Sequence, residues 1–537
     1  MQHASSLRPR AGTTTRRLPP VAEGPWVFGL AATGYLAAAA VLTFGYQAVV
    51  PEALSRVGNA SYVLFSRDPH LAAIGFVWQP LQSFLALTLL PLKGIFPALL
   101  QLGFAGSIVS ALFMAGSVFL VNRLLRDFGL SRLPRLLLTL LFGLHPVLLY
   151  VGGTGLPQAV FLFFSLLATV ALARWLERGR LSGLVAAGAA LAAAYLASPA
   201  ALGAVLGAAA LVVYRSLRNQ DRSDPNRGLT AVCDALILVG PVLLVVAAWN
   251  GATWLITGDP FHQLSSIYSL GSQLHAEGTD GVGVVDVFRR AVAIEPGLLA
   301  LGGLAVFGAL RLRQPGLLAG TTLLAPAVLT AMVAQASAAG LPSMTPFVAI
   351  IPLTVLWAAA ASFRGAPLSQ RLVAVLALAV AIPASASALL DPGLAPQEAA
   401  ILRPVVMASG SQQRPADPFA AARAIAQFLD AEHLPAGAVL VDSSTGFPVI
   451  VASANPRQFV ITNDRDFRLA LTDPSGMAVQ YLLVPAPSNP ISVPSLDALV
   501  RAYPGLYDSG AGVGSLVREF DGRDQVPAWR LFRVIGR

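Results

Sequence analysis

Stretches of about 20 mostly apolar residues recur along the first three quarters of this chain, and a run of that length crosses a bilayer as a helix. They lie at residues 26–50, 99–121, 135–152, 157–173, 181–197, 199–214, 230–256, 296–311, 317–337, 346–362 and 372–390, predicting 11 spans. Hydrocarbon offers no water to backbone N–H and C=O groups, so each run must satisfy its own and must be helical. The fifth and sixth runs are short and meet at Ala197-Ser198-Pro199, where a helical hairpin that does not fully cross is expected. The composition fits: 55% of the 537 residues are hydrophobic and only 12% are charged. Soluble domains carry roughly 25% charged residues, which excludes an ordinary cytosolic enzyme. Cys233 is the only cysteine, which excludes an intramolecular disulfide, a CxxC redox pair and a cysteine zinc cluster.

Loop charge gives the orientation, because arginine and lysine concentrate on the cytoplasmic side. With the N-terminal tail 1–25 inside, 19 basic residues fall on the cytoplasmic side, among them Arg16, Arg123, Arg178, Arg215 and Arg371. Only seven fall on the outer side of the membrane part, which spans 26–390, and of the stretch 391–415 that follows it. The net charge of +9 is therefore mainly a topology signal, and it places everything after residue 390 outside the cytoplasm. Lys93 is the single lysine among 36 basic residues, and alanine is abundant; both suggest a GC-rich bacterial genome and hence a multi-pass bacterial plasma (inner) membrane protein.

The character of the chain then changes. Residues 391–415, with Pro392, Pro396 and Pro404, read as a tether, and 416–537 hold 12 acids and 10 arginines, a soluble-domain density. Short β-like runs at 438–441, 458–461 and 479–484 alternate with helical patterns near 418–431, 465–471 and 495–503, and strands near 513–520 and 528–534 close the domain. Such alternation predicts a small α/β domain with a mostly parallel sheet. Asp442-Ser443-Ser444-Thr445-Gly446 reads either as a ligand-binding strand-end loop or as a capped helix start.

Charged residues are costly in hydrocarbon, so clusters at one face of the bundle are informative. Two outer loops hold them. The first, from Pro51 to about Phe96, contains Glu52, Arg56, Arg67, Asp68, His70 and Lys93. Its apolar stretch 71–92 is interrupted by Pro80 and Pro91, so it reads as an interfacial or re-entrant segment, since one more span would invert every later loop against the charge rule. The second, from Gly258 to Glu295, contains Asp259, His262, His275, Glu277, Asp280, Asp286, Arg289 and Arg290.

A carboxylate directly after the first span, a long first outer loop with surface helices, Phe65-Ser66-Arg67-Asp68-Pro69-His70, Gly258-Asp259-Pro260-Phe261 after a later span, and a soluble C-terminal domain together resemble the GT-C superfamily of polytopic membrane glycosyltransferases. The likeness is of the protein-mannosyltransferase kind. It implies a mostly α transmembrane bundle with an extracytoplasmic α/β domain, a polyprenyl-phosphate-linked sugar donor, and a glycan, lipid or protein acceptor. Transfer from a lipid phosphate needs a base for the acceptor hydroxyl and positive charge for the leaving phosphate. Glu52 and Asp68 are the candidate catalytic carboxylates. Glu52 is equally placed to cap a surface helix, and Asp68 to pair with Arg67 or His70. Arg56, Arg67, Arg289 and Arg290 are the candidate phosphate ligands, with attraction to lipid headgroups as their other reading. His70, Asp259 and His262 are candidates for substrate or for a divalent cation such as Mg or Mn. His145 could line the donor groove or bond between helices. No Walker A loop, GxSxG motif or basic-aromatic array is present, so neither ATP hydrolysis nor a nucleic-acid partner is expected. A transporter or flippase of lipid-linked sugars and a non-catalytic envelope scaffold remain as competing functions. Against transport, Asp234 is the single acid beginning inside a run and no internal repeat is visible.

Overall fold

The computed structural model describes residues 23–219, 225–266, 283–304, 315–337, 342–361, 367–409, 417–487, 494–520 and 529–536. The basic tail, His275, Glu277, Asp280, Arg222, Arg311, Arg313, Arg364 and Arg414 lie outside these residues. So does the second half of the run at 296–311.

The protein is mostly helical, a polytopic bundle with a small sheet near the C-terminus. Among the described residues, seven helices are long and apolar enough to cross a membrane: Glu23–Gly45, Phe104–Asp127, Gln158–Arg178, Ala201–Arg218, Arg227–Thr257, Pro315–Ala336 and Leu368–Leu389. The expected run 135–152 is instead a pair, Arg132–Gly143 and Pro146–Thr154, bent by 58°, and counts as an eighth if taken as one span. Pro146 has no N–H to continue the helical ladder, and His145 starts the second half by accepting the Val147 N–H at its Nδ1, 3.3 Å away. Leu181–Ala197 and Thr345–Ala360 are apolar but short, so the expected total of 11 is not reached among the described residues. Helices approach closely where side chains are smallest. A Cβ on Gly207 would stand 1.8 Å from the Thr322 carbonyl oxygen, which commits the sixth expected run to contact with Pro315–Ala336.

The first loop opens with the helix Pro51–Phe65, where Pro51 occupies a position whose N–H is unneeded. Residues 71–94 do not span. They form the 3-10 turn Leu71–Ile74, the short helix Leu81–Leu87 and the 3-10 turn Leu90–Gly94, as Pro80 and Pro91 require. Leu92, Ile95 and Phe96 are exposed, while Lys93 reaches back over the Phe65 ring at 3.6 Å, the posture of an interfacial lysine.

The five strands fall where alternation placed them: β1 (Val439–Leu440), β2 (Phe459–Val460), β3 (Tyr481–Pro485), β4 (Gly514–Phe520) and β5 (Trp529–Val534). Their order is β2-β1-β3-β5-β4. The sheet is mixed rather than mostly parallel, because β1 pairs in parallel with β2 and β3 while β5 runs antiparallel to both β3 and β4. A short β4–β5 connection leaves no room for the crossover that a parallel pair needs. Within the stretch read as a tether, Pro396–Ser409 is helical.

The α/β domain has one core of its own, around Leu440, Phe467, Leu482, Leu499 and Phe532, and shares a second with the first loop. One buried apolar cluster takes Leu54, Val57, Ala60 and Tyr62 from the first loop together with Ile425, Phe447, Ile450 and Trp529 from the domain. The helix Ser443–Ala452 carries the domain's side of this seam against Pro51–Phe65, with Gly58 giving the room: a Cβ there would meet Val451 at 3.3 Å. Deleting one large side chain from the seam must therefore loosen both partners. Phe447→Ala is expected to cost about 3–5 kcal/mol. In limited proteolysis with trypsin it should speed cleavage at Arg67 and at Arg465 together; faster cleavage at Arg465 alone would show that the loop stands without the domain.

Candidate active site

Glu52 sits in the first turn of Pro51–Phe65, where the helix dipole favours a carboxylate. Arg56, one turn on, donates to its Oε1 from Nη2 at 2.9 Å and from Nε at 3.3 Å. Both bonds use one oxygen, which leaves Oε2 without a partner among the described residues. Arg56 is itself fixed: it donates to the Gln79 carbonyl oxygen at 3.1 Å, lies 5.5 Å from the Trp78 ring centroid and is buried. The Glu52 side chain, by contrast, remains 38% exposed. The underside of the loop is bolted to the bundle by Gln82, whose amide donates to the carbonyl oxygens of Gly155 and Gly106 at 3.1 and 3.3 Å. Gly155 ends the Pro146–Thr154 helix at φ +84°, and a Cβ there would meet the Ser107 nitrogen at 3.0 Å.

Arg67 and Asp68 point elsewhere. Arg67 donates to Asp464 at 3.2 Å and to Asp466, while Asp68 accepts from the Arg465 Nη2 and Nε at 2.6 and 2.9 Å. The basic-acidic pair of the loop thus interlocks with the acidic-basic-acidic triplet of the domain. Asn463 adds a bond to the Ala73 carbonyl oxygen at 2.7 Å. His70 Nδ1 lies 2.7 Å from the Asp68 backbone oxygen, which places its hydrogen there. The Arg465 bonds hold the Asp68 carboxyl down to about 2, while burial pushes Asp464 up to about 6 even with Arg67 beside it. Arg67, Asp68, Asp464, Arg465 and Asp466, five residues, form a clasp between loop and domain.

Arg289 and Arg290 are neighbours on Val284–Ile294 with opposite fates. Arg289 is exposed and pairs with Asp286 at 3.3 Å, beside the exposed Val284, Val285 and Phe288. Arg290 is buried, donates from Nε to the Leu394 carbonyl oxygen at 2.8 Å, and keeps Nη1 without a partner among the described residues. It lies within electrostatic reach of Glu398, a buried carboxylate whose Oε1 accepts from Ser343 Oγ at 2.6 Å and from the Met344 and Thr345 N–H groups at 2.8 and 3.2 Å. Tyr150 is within electrostatic reach of both Glu398 and Glu52. Glu295 accepts from Thr354 at 3.0 Å and stands 4.0 Å from His145 Nε2. With Nδ1 accepting, Nε2 carries the hydrogen and faces that carboxylate, an interhelical polar contact.

Neither Glu398 nor Tyr150 was singled out by sequence. The signal for Glu398 was present: it heads the run Ala399-Ala400-Ile401-Leu402, a helix start inside the presumed tether. Asp259 closes a turn by accepting from the Phe261 N–H at 2.9 Å and from Ser265, with His262 next to it. Among the described residues no three of His, Cys, Asp and Glu gather into a metal-ligand set, so His70, Asp259 and His262 do not form one. Asp442 resolves as a helix start: it accepts from Ser444 N–H at 2.8 Å and from Ala498 N–H at 2.7 Å, while Asp497 accepts from Thr445 Oγ1 at 2.5 Å.

A bent-span bundle, a first loop of surface helices bearing a carboxylate at its start, and an α/β domain locked onto that loop define a polytopic membrane protein whose fold is shared with a solved structure. The solved structure of ArnT from Cupriavidus metallidurans bound to undecaprenyl phosphate matches at 14% identity over 96% of this chain and 98% of that one, with a TM-score of 0.52. The archaeal oligosaccharyltransferase AglB from Archaeoglobus fulgidus, in complex with an inhibitory peptide and a dolichol-phosphate, matches at 12% identity over 86% of this chain and 69% of that one, with a TM-score of 0.45. No protein-family model and no curated protein sequence matches the chain.

The clasp carries a pH signature. Asp68, with its folded value depressed, contributes stability that is present above about 3.8 and lost as pH falls through about 2. Asp464, with its folded value raised, contributes below 3.8 and loses that contribution as pH rises through about 6. In thermal unfolding of the full chain, the deficit of Asp68→Asn should stay constant from pH 8 to pH 4 and shrink below. That of Asp464→Asn should narrow as pH rises from 4 to 7. A Asp68→Asn deficit that varies across pH 5–8 would contradict the assignment.

Proposed function

We propose that the protein is a membrane glycosyltransferase that moves a sugar from a polyprenyl-phosphate donor to a hydroxyl of an extracytoplasmic glycan, lipid or protein. The domain-bearing end of the bundle is taken to face away from the cytoplasm of a bacterium, as the arginine distribution favours. The observation that carries the reading is Glu52: a part-exposed carboxylate at the membrane-proximal start of a surface helix, aligned by a buried arginine through one oxygen and open at the other. A lipid-linked donor keeps its chain in the bilayer, so its phosphate reaches the protein at that depth. The fold shared with a solved structure that binds undecaprenyl phosphate supports a donor of that chemical class.

In the step that follows, Glu52 Oε2 takes the proton of the acceptor hydroxyl as its oxygen bonds to the sugar C1. The bond from C1 to the phosphate oxygen breaks, and its electron pair leaves with the polyprenyl phosphate. Arg290 Nη1, buried and unpartnered, is the group proposed to meet that phosphate, since a guanidinium holds phosphate oxygens strongly in a dry site. Arg56 is a positioning residue for Glu52. Asp68 and Arg67 hold the loop to the domain, and Arg289 faces lipid headgroups.

With membranes and a radiolabelled polyprenyl-phosphate sugar, Glu52→Gln should lower turnover by roughly 10²–10⁴-fold, the range lost with a general base. Arg290→Gln should mainly raise the donor KM, while Asp68→Asn should lose stability but keep turnover per folded molecule within about tenfold of the parent. Unchanged transfer by Glu52→Gln would remove the base assignment. Collapse of turnover in folded Asp68→Asn would return that role to Asp68.

A further inference from the structure

The opposite end of the bundle holds a second polar site. The helix Gln158–Arg178 starts beside Gly155, which touches Ala53 of the first loop, and ends far from it at Arg178. There it meets the start of Leu181–Ala197, the end of Ala201–Asn219 and the second turn of Arg227–Thr257 around a cavity of about 360 Å³. Glu177, Arg178, Leu181, Arg215, Ser216 and Asp234 are among the residues that line it.

Arginines at this end are expected on topology alone, but three features are not. Two of them, Arg178 and Arg215, converge on one cavity without forming an ion pair among the described residues. The Arg215 Nε is buried and has no partner among the described residues. An acid, Asp234, stands in the same cavity with Oδ2 accepting from Ser216 Oγ at 2.6 Å, although an acid here is costly unless something uses it. Leu181, 55% exposed, continues the wall toward the lipid.

We propose that this cavity binds the headgroup of an anionic phospholipid with free hydroxyls, of the phosphatidylglycerol type, in the leaflet opposite the α/β domain. The phosphodiester oxygens accept from Arg178 and from the unpartnered face of Arg215. The glycerol hydroxyls donate to the second oxygen of Asp234, so that in this charge-balanced cavity the guanidiniums meet the phosphodiester and a carboxylate meets the hydroxyls. The acyl chains lie along Leu181 and the adjoining apolar helix faces. Basic pockets between transmembrane helices recognise anionic headgroups by this chemistry. The site is independent of the proposed transfer reaction and its residues touch none of that machinery.

The test is native mass spectrometry of the full chain in neutral detergent, titrated with phosphatidylglycerol, phosphatidylcholine, phosphatidic acid or inorganic phosphate. The parent should retain phosphatidylglycerol over phosphatidylcholine. The double variant Arg178→Gln/Arg215→Gln should hold phosphatidylglycerol roughly tenfold more weakly with phosphatidylcholine retention unchanged, which also shows that it is folded. Asp234→Asn should lower retention of phosphatidylglycerol while sparing phosphatidic acid, which has no glycerol hydroxyls to lose. Equal retention of phosphatidylglycerol and phosphatidylcholine by the parent, or unchanged phosphatidylglycerol binding by the double variant, would overturn the proposal. Displacement of the lipid by inorganic phosphate would overturn it too, assigning the site to a soluble phosphate compound.

Discussion

The helix Pro51–Phe65 lies across two environments, with Glu52 near the membrane and Leu54, Val57, Ala60 and Tyr62 turned toward apolar surface that the membrane does not supply. The α/β domain supplies it. Apolar burial of this kind is the main favourable term in folding, and here neither partner completes it alone. The charges at the edge of the seam add direction rather than bulk stability. Arg67 and Asp68 match Asp464, Arg465 and Asp466 in only one register, and the exposed members of such sets are individually weak. The position of Glu52 in space is thus a consequence of how a domain almost 400 residues later in the chain packs.

This arrangement explains why a surface helix can serve as rigid support. A helix of 15 residues is marginal by itself in water. Held below by Gln82 against Gly106 and Gly155 and above by Ser443–Ala452, it presents its first turn as a fixed element, and Arg56 then sets the rotamer of Glu52. Electrostatic reach links Glu52 and Glu398 through Tyr150, and Glu398 to Arg290, groups from four distant parts of the chain.

Periodicity and charge made the bundle, the five strands and the non-spanning character of 71–94 legible, because each is a local pattern with a local physical cause. Pairing across the chain was not. Arg67 and Asp68 looked like phosphate and proton groups in a loop considered alone, and only contact with Asp464-Arg465-Asp466 shows where their charge is spent. The complementary order of signs in those two segments was the available clue. Pro396, Pro404 and the neighbouring polar residues suggested a tether, yet Glu398 is drawn into a buried cap on Ser343, Met344 and Thr345. The bent span at His145-Pro146 shows the same limit: hydropathy sees one run, while the missing N–H of a single proline divides it.

The central claim is that the first loop and the α/β domain are one cooperative unit that holds Glu52 in place. Hydrogen–deuterium exchange of the full chain tests it directly, because amides that open in one cooperative event share one protection level. The amides of Pro51–Phe65 and of Ser443–Ala452 should exchange with matching protection and lose it together in Phe447→Ala. Retained protection of Pro51–Phe65 while Ser443–Ala452 opens would contradict the account.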